Sequence, residues 1–204
     1  MKICGKSLFA RTAVSLAAAA FLVLIFRPSV ALGAADHVRW DIIHLDATTS
    51  PPTISAGGVA FASARNPSTL SIKLTGSGTF VGPASGGTSS AVTGGGTWET
   101  FSDSTSTGSG TYVVVGLVNW TFSDFQLPVL TDLIDDGTAA NGVAVLRIRY
   151  SDGSEGVLGI GCHGPGAPDG TVEGVIASKG HVTYWDAQAP VAGVDANRTV
   201  FHVR

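Results

Sequence analysis

The chain has 204 residues, of which 13% are charged, with 12 Lys and Arg against 15 Asp and Glu and a formal net charge of −3. With no basic cluster and an acidic balance, it lacks the surface that nucleic acid or an anionic membrane rewards, and neither is expected as a partner. Its length suits one domain with a substantial core rather than two.

The first 35 residues stand apart. Lys2, Lys6 and Arg11 make a basic start, Ala13 to Phe26 is an apolar run, and Ala31-Leu32-Gly33 offers small residues for cleavage. This is the pattern of a secretory signal peptide, with the cut expected between Gly33 and Asp36. As a helix the run would span about 21 Å, short of the roughly 30 Å hydrocarbon core, so no integral membrane segment is expected in the mature chain. Residues 36–204 are then a single all-β domain, secreted or periplasmic. Cleavage removes Lys2, Lys6, Arg11 and Arg27 but no acid, so that domain is more acidic than the whole chain. It keeps one cysteine, Cys162, which precludes an internal disulfide and reads as a buried, inert thiol.

His37 to Asp46 alternates as a first strand, with Val38, Trp40 and Ile42 on one face, and Pro51 and Pro52 end it. Gly58 to Ala64 and Thr69 to Leu74 follow as strands. Next comes a phrase that occurs three times: Gly76-Ser77-Gly78-Thr79-Phe80, Gly94-Gly95-Gly96-Thr97-Trp98 and Gly108-Ser109-Gly110-Thr111-Tyr112. Each copy reads as a glycine turn feeding a strand that starts with Thr and an aromatic residue. The unequal spacing of 18 and then 14 residues points to hairpins of different length, not a solenoid. Thr97 to Phe101 and Thr111 to Phe122 are the strands so introduced.

Pro128 is expected to open one short helix that turns Val129, Leu130, Leu133 and Ile134 inward and ends at Gly137. Asp132, Asp135 and Asp136 then read as solvated acids at the helix end, because their spacing lacks the alternate oxygen ligands of a calcium loop. Gly142 to Tyr150, Glu155 to His163, Val172 to Trp185 and Thr199 to Val203 complete about nine strands. The fold expected is an antiparallel β-sandwich, with a closed β-barrel as the alternative.

No nucleophile elbow, zinc-binding His or Cys pattern, or phosphate-cradling loop occurs, so no cofactor and no metal is expected. Asn119-Trp120-Thr121 and Asn197-Arg198-Thr199 match the glycosylation pattern, which carries meaning only in a eukaryotic secretory pathway. The constellation with a geometric argument is a second echo. Glu155-Gly156-Val157-Leu158 runs to His163, and Glu173-Gly174-Val175-Ile176 runs to His181, with Glu and His eight residues apart in both. An even spacing puts both side chains on one face of a strand. Pairing the two strands with residue numbers that sum to 336 sets His163 opposite Glu173 and Glu155 opposite His181. A bulged turn at Asp152-Gly153 sets Arg149 opposite Glu155 and Arg147 opposite Val157. Leu146, Ile148, Leu158, Ile160 and Ile176 then share one side, and Arg147, Arg149, Glu155, His163, Glu173, Lys179 and His181 the other.

Three uses of that polar face follow. It is a solvated surface with weak ion pairs, a groove binding a small polar ligand through Arg and His donors, or the seat of a small hydrolase or isomerase in which a Glu/His pair serves as base and orienter. A rival site is aromatic: Tyr184 and Trp185 cannot both face inward, and an exposed ring on a sheet can stack on a glycan. The function expected is a non-enzymatic β-domain that binds a small polar molecule or carbohydrate, with the enzyme as the alternative.

Overall fold

The computed structural model describes residues 34–190 and 194–204. The predicted leader, residues 1–35, therefore falls almost wholly outside the described residues, and the first strand, β1 (Asp36–Asp46), begins at the predicted start of the domain. The other strands are β2 (Thr53–Ala56), β3 (Ala60–Ser63), β4 (Leu70–Leu74), β5 (Ser77–Gly82), β6 (Val92–Ser102) and β7 (Thr105–Phe125). They continue as β8 (Thr131–Asp132), β9 (Thr138–Tyr150), β10 (Glu155–Cys162), β11 (Gly174–Lys179), β12 (Val182–Tyr184), β13 (Asp186–Ala187) and β14 (Thr199–Val203). The domain is all-β and, apart from one short parallel pair, antiparallel. No helix occurs among the described residues, and so none there is long and apolar enough to cross a membrane.

The sheet closes as a six-stranded barrel in the order β9, β14, β1, β5, β6, β7 and back to β9, which is the alternative closure expected from the sequence. Two of its strands also carry leaves. β6 leaves β5 to pair with β4, leading on to β3 and β13, while β9 leaves β14 to pair with β10, leading on to β11 and β12. The two leaves face each other, with β11 against β3.

Phe80, Trp98 and Tyr112 all lie in strands, and the glycines of their phrases, apart from Gly76 in the link before β5, are within the sheet rather than in turns before it. Gly78 pairs with Gly94, and Gly96 pairs with Tyr112. At this seam the backbones meet so closely that a Cβ on Gly94 would stand 2.4 Å from the Gly78 Cα, and Gly94 has φ +102°. Only glycine fits there.

Alternation along β1 separates two cores. Val38, Trp40 and Ile42 point into the barrel, where Phe80, Trp120 and Phe201 stack edge to face at centroid distances of 4.7–6.5 Å. Ile43 points out, yet it is buried with Ile54 and Val200 in a smaller cluster capped by Leu45, Leu130 and Ile134. The cap corrects the predicted helix. From Pro128 the chain runs extended, with Thr131 N–H donating to Pro52 O and Leu133 N–H to Ile54 O, and β8 pairs in parallel with β2. Leu130 and Ile134 turn inward as expected, but Val129 and Leu133 are exposed. A long-range pairing with β2 satisfies this backbone where a single helical turn would have left most groups unpaired.

Of the acids of that segment Asp135 is exposed as expected, but Asp132 and Asp136 are not simply solvated. Asp132 accepts from the buried His202 Nε2 at 2.6 Å, and Asp136 pairs with Arg39 and Arg204. Arg39 in turn grips the buried Asp41 with two hydrogen bonds of 2.7 and 2.9 Å. Burial pushes the Asp41 carboxyl up, and the Arg39 guanidinium pulls it back.

Candidate functional site

The β9–β10 hairpin forms in the expected register. Tyr150 N–H donates to Ser154 O and Gly153 N–H to Tyr150 O, Arg149 lies opposite Glu155, and Arg147 lies opposite Val157. Leu146, Ile148, Leu158 and Ile160 are buried on the inner side, while Arg147, Arg149 and Glu155 are exposed on an open sheet face.

The next pairing corrects the expectation by one residue. Leu158 pairs with Ala177 and Ile160 with Val175, so numbers sum to 335 instead of 336, and a one-residue slip exchanges the faces of β11. Gly174 carries the change: it opens the strand with φ +95° after a loop of irregular turns, and the alternation restarts from it. Ile176 consequently faces outward across Gly159, and Glu155 is not opposite His181, which follows the tight turn at Gly180 and is exposed. Lys179 faces inward between the leaves. Its ammonium lies 4.0 Å from the Trp98 ring centroid and 4.7 Å from that of Tyr150, paired with Asp152. Asp152 is held down to about 2, first by Lys179 and then by Ser154. Tyr184 is buried, which removes it as a surface candidate, whereas Trp185 is 55% exposed.

His163 and Glu173 do come together, though not as a cross-strand pair of side chains. One Glu173 oxygen accepts the His163 backbone N–H at 2.5 Å and the other accepts the Thr199 N–H at 2.7 Å. The imidazole turns elsewhere: its Nδ1 is 2.7 Å from Thr171 O, and because a carbonyl only accepts, Nδ1 carries the proton. Glu173 is therefore fixed by backbone, and no Glu/His side-chain couple forms.

Around this carboxylate lies a cleft of about 690 Å³. Ile43, Leu45, Ile54, Leu130 and Val200 make an apolar wall, and Gln126, His163, Glu173 and Arg198 supply polar groups. Each wall has a local cause. The outer face of β1 and β14 supplies the apolar side, while Leu127 N–H donates to Pro165 O and ties the segment after β7 across the mouth. Asn141 accepts from Gly164 N–H at 2.7 Å and holds the turn that carries His163. Behind it Cys162 is fully buried, its thiol donating to Thr199 O, and burial pushes the thiol far up, as expected of an inert cysteine.

The local sequence around Arg198 carries a glycosylation pattern but no signal of a binding residue. Asn197 aims it. This asparagine is buried with φ +61°, its N–H donates to Val59 O, and its Oδ1 accepts from Phe61 N–H. The side chain of Arg198 makes no hydrogen bond or ion pair with any described residue, and its Nε is buried without a partner. Among the described residues Glu173 is the only carboxylate lining the cleft, and burial raises it to about 7 against the pull of its two backbone donors and of Arg198. Among the described residues no three His, Cys, Asp or Glu side chains converge as metal ligands.

Comparison of the chain with protein-family models, with curated proteins and with solved structures gives no match.

Proposed function

We propose that residues 36–204 are an exported, non-enzymatic binding domain that holds a small ligand in the cleft between β14 and the segment 126–130. The observation that carries this reading is the pairing of an apolar wall with a few convergent polar groups in about 690 Å³, inside the roughly 300–1,000 Å³ of small-molecule sites. The polar groups are positioned by backbone, through Glu173 on two N–H groups and Arg198 behind the buried Asn197. Such a scaffold holds a ligand in one orientation at low entropic cost.

The enzyme alternative has one observation in its favour. A carboxyl raised to about 7 in a cleft suits a general base. Against it, the His163 imidazole is committed to Thr171 O, so the Glu/His couple that an acid–base pair needs is not assembled.

A neutral fluorescent probe, N-phenyl-1-naphthylamine, tests the binding reading. Saturable fluorescence enhancement is expected with the purified protein, and Leu130→Trp, which fills the mouth, is expected to abolish it while leaving the β-sheet circular dichroism unchanged. Absence of saturable binding, or binding untouched by Leu130→Trp, would exclude the cleft.

A further inference from the structure

We infer that the ligand of this cleft is an amphipathic monoanion, its charged head paired with Arg198 and its apolar body laid on Ile43, Ile54 and Val200; this rests on the binding reading above. Among the described residues Arg198 is the only Arg or Lys lining the cleft, and its side chain makes no hydrogen bond or ion pair with them. A buried donor without an acceptor costs free energy that an incoming acceptor recovers, and a carboxylate or sulfonate head is the acceptor that a guanidinium fork matches best. Glu173 does not fill that role: its oxygens are turned to the backbone N–H groups of His163 and Thr199, and no hydrogen bond or ion pair joins it to Arg198. The wall opposite offers no hydrogen bonds, so the remainder of the ligand must be apolar.

The same geometry couples binding to a proton. An anion beside Arg198 also lies near Glu173, and two negative charges sharing one low-dielectric site favour the protonated carboxyl. The groups facing Glu173 are Arg198 from the approach to β14, His163 and Cys162 from the end of β10, and, across an adjoining hollow, Asp186 of β13, which is paired with Arg65. Arg198 is the cation among them that no acid neutralises by contact. Acidification through the Glu173 range therefore leaves its charge free for the ligand.

The test displaces the naphthylamine probe with decane-1-sulfonate, whose charge does not titrate, and with decan-1-ol. At about pH 6 the sulfonate is expected to bind about tenfold tighter or more than the alcohol, the scale of one charge-assisted hydrogen bond. Arg198→Gln is expected to bring that preference to about one, and Arg198→Lys to retain part of it. Raising the pH to about 8.5 is expected to weaken the sulfonate several-fold in His163→Gln, which lacks the imidazole that lines the cleft, but not in the double variant His163→Gln with Glu173→Gln. Equal displacement by both compounds, or a preference that survives Arg198→Gln, would overturn the monoanion while leaving the cleft reading standing. Failure of both compounds to displace the probe would remove the cleft reading and this inference together.

Discussion

Replacing Glu173 by Gln is expected to destabilise the protein in acid and to recover that loss in alkali. The carboxyl lies at about 7 in the folded chain against an ordinary 4.5, the cause being burial. At about 1.4 kcal/mol per unit, that gap amounts to about 3 kcal/mol between the two protonation states. The sign follows from linkage. Between the two values the folded chain binds more protons than the unfolded one, so stability falls as pH rises from the ordinary value towards the raised one. Below that range Glu173 is protonated in both states and the difference between the two proteins is constant; there Gln is the less stable, because its amide nitrogen cannot accept one of the two backbone N–H groups, of His163 and Thr199, that the carboxyl oxygens take. Above it the wild type carries a buried charge that the variant lacks, and relative to the difference in acid the variant gains up to about 3 kcal/mol. Urea unfolding of both proteins from about pH 4 to about pH 9 reads this directly, because every other titrating group cancels in the difference. Stability curves that stay parallel across that range would refute the burial assigned to Glu173.

Gly94→Ala places a Cβ 2.4 Å from the Gly78 Cα and 2.2 Å from Ser77 O, with φ at +102°. Strain and backbone displacement together are expected to cost about 3 kcal/mol or more, seen as a lower urea midpoint. Lys179→Met removes a cation held between Trp98 and Tyr150 and is expected to cost about 1–2 kcal/mol. It should also raise the Asp152 carboxyl from about 2 towards the ordinary range, which an NMR titration of that carboxyl would follow; an unmoved titration would mean that the ion pair is absent.

The parts of the fold legible in the sequence are those fixed by local chemistry. The Asp152-Gly153 turn sets its own register, and so the positions of Arg147, Arg149 and Glu155 follow from five residues. The alternation of Val38, Trp40 and Ile42 likewise needs only the period of a strand. The connection from His163 to Glu173 has no such turn rule, and the glycine that restarts β11 moved the pairing by one residue, which sent Lys179 inward and parted Glu155 from His181. The segment after Pro128 has a short apolar run that helical and extended forms share, and only its distant partner β2 decides between them. The candidate cleft was half legible for the same reason. The echo of Glu and His marked His163 and Glu173, but Arg198 and Gln126 join them through contacts between distant segments, and nothing in their immediate neighbours announces a site.

The central claim is that the cleft between β14 and the segment 126–130 holds a ligand. The most direct measurement is a titration of ¹⁵N-labelled protein with decane-1-sulfonate, following the backbone amides of His163 and Thr199, which both donate to Glu173. The expected result is a saturable shift of these two amides, while those of Arg149 and Glu155 on the open face of the β9–β10 hairpin stay fixed. Shifts centred on that open face, or no saturable shift at His163 and Thr199, would contradict the account.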